Sequence, residues 1–79
     1  MENFDHYAAA KLLSAKLSGE GYSEWSQKID DSMVEGATGT EIFMILRMRT
    51  SEFLLSEQGS PAVIALAGEL LRQLNDSLS

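Results

Sequence analysis

His6 is the only histidine in the chain, and there is no cysteine. Acid–base chemistry therefore has a single imidazole to draw on, and thiolate chemistry has nothing. Nucleophilic catalysis needs a second group held against that ring, and the residues around His6 mark none. At helical spacing it falls near the face of Ala10, Leu13 and Leu17, which reads as a helix-end histidine at the edge of a core. Carboxylates offer a second chemistry. Glu24, Asp31 and Glu35 line one side of a helical stretch, with Lys28 between them and Asp30 adjacent. Such a row binds a divalent cation only if another helix adds oxygen ligands. No Glu-x-x-His pair and no calcium-loop pattern accompanies it. The row reads as a solvated acidic face that a basic partner surface could use.

Thr38-Gly39-Thr40-Glu41 has the look of a phosphate-cradling turn, since amides open at a helix start. It lacks a following Gly-Lys-Ser/Thr and a preceding strand, and Glu41 would repel phosphate. A capping box, in which Thr38 caps the amides and Glu41 reaches back, accounts for it better. Arg47 and Arg49 point to nearly opposite sides of a helix and make no single basic patch; one of them could pair across a dimer interface. Met44, Ile45, Met48 and Leu55 form an apolar face opposite the one that carries Ile42, Phe43, Leu46, Thr50, Phe53 and Leu54. Their second-face position makes them the candidate association surface. No catalytic, metal-binding or cofactor-binding residue is assigned.

The elements that must position these residues are all helical. One proline, six glycines and no alternating β-branched run predict helices over about 4–18, 23–35, 39–56 and 60–77. In the first, Ala9, Ala10, Leu13 and Leu17 share one side and Phe4, Ala8, Leu12 and Ala15 another, which predicts contact with more than one neighbour. A flexible ending is expected at Ser18-Gly19-Glu20-Gly21. Ser23 is expected to cap the second helix, whose narrow stripe is Tyr22, Trp25, Ile29 and Met33. Ser60-Pro61 opens the fourth, where Val63, Leu66, Ala67, Leu70, Leu71, Leu74 and Leu78 fill one half of the wheel. Short connections between such helices predict a single all-α domain over residues 1–79, a compact antiparallel four-helix bundle.

Gly21-Tyr22-Ser23-Glu24-Trp25, followed by Gly36-Ala37-Thr38-Gly39-Thr40-Glu41-Ile42 and the Leu46-Arg47 pair, resembles a family of small uncharacterised bacterial all-helical proteins. The likeness covers roughly residues 21 to 55. It implies a bacterial origin and an all-helical domain and assigns no activity.

Composition narrows the function further. Seventy-nine residues, 44% of them hydrophobic, support one core, and twelve acidic against six basic residues leave a net charge of −6. Phosphate backbones and anionic membranes both select clustered Lys and Arg, so neither nucleic acid nor a membrane is the expected partner. No apolar run approaches the ~20 residues that cross a bilayer. The acidic start Met1-Glu2-Asn3-Phe4-Asp5 differs from a basic signal peptide and predicts a cytoplasmic protein. The expected function is a non-catalytic protein–protein interaction module, a homodimer using the Met44, Ile45, Met48 and Leu55 face. The alternative is an immunity- or antitoxin-like acidic protein that neutralises a basic partner through Glu24, Asp31 and Glu35.

Overall fold

Capping chemistry decides where the helices begin. The computed structural model describes residues 3–79; Met1 and Glu2, which open the acidic N-terminal stretch, lie outside the described residues. Helix α1 runs His6–Gly19, because Asp5 takes the cap position and accepts the Ala8 amide at 2.9 Å. Phe4 therefore lies before the helix rather than in it, and its ring meets His6 edge-on at 5.1 Å. The end of α1 is ordered, not flexible as expected. Gly21 adopts φ +89°, the Tyr22 amide donates to Leu17 O at 2.8 Å and the Gly21 amide donates to Ser18 O at 3.1 Å. That is a Schellman closure, in which a left-handed glycine satisfies the last carbonyls.

Helix α2 runs Ser23–Glu35, and its cap position falls on Tyr22, which makes no side-chain capping bond. Ser23 is the first helical residue and does not cap. The reason is the brevity of the turn, since Tyr22, which closes the Schellman motif of α1, also occupies the cap position of α2. Helix α3 runs Gly39–Leu55 with Thr38 accepting the Glu41 amide at 3.1 Å. The capping box is half made: the Glu41 carboxylate accepts the Thr38 hydroxyl at 3.4 Å. Helix α4 runs Pro61–Leu78, capped by Ser60, which accepts the Val63 amide at 3.3 Å.

The four helices form an all-α antiparallel bundle closed as a ring: α1 packs on α2, α2 on α3, α3 on α4 and α4 back on α1. Its Cα radius of gyration, 11.6 Å, matches the scaling for a folded chain of this length, so no helix splays away. The core is Ala10, Leu13, Leu17, Ile29, Leu46, Phe53, Val63, Ala67, Leu70 and Leu74, all fully buried. On α1 only one of the two apolar sides is used: Ala8, Leu12 and Ala15 are exposed. Both neighbours of α1 meet it along the Ala10–Leu17 row, because that row and the buried Ser14 beside it are the part turned into the ring. Ser14 also lets α1 and α2 approach closely, its hydroxyl 2.8 Å from that of Ser26.

One end of the bundle is tied by side chains that link its two short turns. The Glu20 carboxylate accepts the Ser60 amide at 3.0 Å and the Ser60 hydroxyl at 2.6 Å. Gly59 donates its amide to the Tyr22 hydroxyl at 3.3 Å, and Trp25 Nε1 donates to Gln58 Oε1 at 2.8 Å. Hydrogen bonds from Ser60, helped by Lys16, hold the Glu20 carboxyl below its ordinary range. A carboxylate depressed in the folded state stabilises above its unfolded value and loses that contribution as pH falls through the folded one. Glu20→Gln should therefore weaken the fold at about pH 6, and the deficit should shrink as the pH is lowered to about pH 3. Urea midpoints of the two proteins at both pH values check it; parallel losses would show that the tie carries no linkage.

Candidate interaction surface

The face opposite the core side of α3 stands open. Met44, Met48 and Leu55 are 50%, 46% and 79% exposed, while Ile45 is half-buried at the margin of the strip. The structure thus brings Met44, Met48 and Leu55 onto one exposed face, with Ser51 between them, at steps of four, three and four residues. Such steps keep side chains in one line along a helix.

Beside that line runs a groove of about 370 Å³ between α3 and α4, lined by Met44, Arg47, Met48, Ser51, Leu71 and Asn75. The α4 wall was not foreseen. Leu71 counts toward the apolar half of the α4 wheel, but it sits at the boundary of that half and is only half-buried. Ile64, 40% exposed, lies seven residues before it on the same side. Gly68 shares this face, and a Cβ placed on it would meet nothing within 4 Å. Nothing inside the chain requires glycine there, although mid-helix glycine costs roughly 0.5–1 kcal/mol against alanine.

The groove carries one charge. Arg47 makes no ion pair among the described residues, whereas Arg49 pairs with Glu52 at 3.4 Å on the neighbouring face. The two arginines are split as their spacing requires, one in the groove and one beside it.

The acidic row lies elsewhere, on α2. Glu24 and Glu35 are exposed, and half-buried Asp31 accepts Gln27 Nε2 at 2.8 Å. The Lys28 ammonium lies 4.5 Å from the Trp25 ring centroid, a cation–π contact that draws it toward the Trp25 ring. Among the described residues no three His, Asp or Glu side chains converge closely enough to share a metal ion. A second, more polar hollow of about 290 Å³ is lined by Gly21, Tyr22, Ser23, Glu24, Trp25 and Gln58, at the tied end of the bundle.

His6 serves the fold. Its Nε2 lies 3.2 Å from Gln73 O and 2.9 Å from Ser77 Oγ, and its ring lies 4.5 Å from that of Phe43. A carbonyl oxygen only accepts, so the bond to Gln73 requires the hydrogen on Nε2. Ser77 Oγ, closer at 2.9 Å, meets the same nitrogen as donor or acceptor according to the tautomer, and in either case the contacts join α1 to the end of α4. Among the described residues no helix is long and apolar enough to cross a membrane. No family model matches the chain, and no curated protein or solved structure matches it.

Proposed function

We propose that the chain is a non-catalytic protein–protein interaction module that works as a homodimer, associating through the exposed face of α3 and its groove with α4. One observation carries this reading: Met44, Met48 and Leu55 lie on a single face and remain roughly half or more exposed. Among the described residues, no element beyond the four helices of the ring covers them. Contiguous apolar surface of this kind on a small domain is stabilised by association. A bacterial, cytoplasmic setting belongs to the same proposal, its bacterial part carried by the likeness of residues 21 to 55.

Light scattering on a sizing column tests it. The expected mass at micromolar concentration is about twice the 8.7 kDa of one chain. Met48→Glu should return the mass to one chain while the circular dichroism spectrum stays helical, because a side chain that is 46% exposed leaves room for a carboxylate in water. A native mass near one chain across a wide concentration range would overturn the reading. Unfolding by Met48→Glu would instead assign that methionine to the core.

A further inference from the structure

We draw no further inference here: the strongest candidate, the exposed Met44, Met48 and Leu55 face of α3 with its groove against α4, belongs to the association surface already described, and nothing in the structure shows what covers it.

Discussion

Leu70→Ala is expected to cost about 2–5 kcal/mol of folding stability, the range for truncating a buried leucine to alanine. Leu70 is fully buried on α4 within a row that includes Val63, Ala67 and Leu74. All four helices contribute to the cluster it belongs to, so the vacated volume has no mobile edge into which it could collapse. Gln73→Ala, three residues on, is the control. Its amide donates to Glu69 at 3.0 Å near the surface, and its backbone carbonyl, which meets His6, survives the change. That substitution should stay within about ±0.5 kcal/mol. Urea unfolding of the three proteins decides the matter, and comparable losses from the two variants would mean that the core face of α4 lies elsewhere.

Gly36→Ala is the second large effect and acts by crowding. A Cβ at Gly36 would lie 2.7 Å from the Ile42 amide nitrogen, 2.8 Å from Ile42 Cγ1 and 3.0 Å from the Glu41 carbonyl carbon. Two of those three atoms are backbone of the first turn of α3, so no rotamer change relieves the clash. The start of α3 would have to shift away from the end of α2. Gly36 sits at φ −78°, a conformation any residue adopts, which leaves close approach as the sole reason for glycine. Overpacking of this kind typically costs about 1–3 kcal/mol. Gly19→Ala makes the comparison, since a Cβ there meets nothing within 4 Å. Thermal unfolding should separate the two variants clearly; equal midpoints would show that the α2–α3 junction yields freely.

Much of this architecture was legible in the residues. Thr38 before Gly39 and Ser60 before Pro61 announce two helix starts through local hydrogen bonds, and both form. The α4 stripe marks its own buried side because a periodic row of leucines has one way to face a core. Other features depended on what lay far off in sequence. Ser23 has the chemistry of a cap, but the closure of α1 on Gly21 and Tyr22 places it one residue too late. Leu12 resembles Leu13 in type and differs only in which direction the ring of helices turns it. Leu71 borders the groove because of how α3 leans on α4, a packing angle that no local pattern encodes. The Glu20–Ser60 and Trp25–Gln58 bonds join turns 40 and 33 residues apart, and each residue taken alone reads as an ordinary polar surface group. On the candidate surface, Met44, Met48 and Leu55 were recognisable from spacing, whereas the α4 wall required the folded hairpin.

The ring arrangement also sets how the entropy of folding is distributed along the chain. Three of its four helix contacts join consecutive helices, so each closes across a short turn and costs little freedom beyond the hairpin itself. The fourth is different in kind. His6 meets Gln73 and Ser77 across 67 and 71 residues of sequence, so the α1–α4 seam must constrain nearly the whole chain at once. Closure cost grows only logarithmically with span, by about 0.6 kcal/mol per doubling, and falls steeply once the intervening hairpins have formed and shortened the effective loop. The molecule is thus a sequence of local zippers with a single long-range clasp.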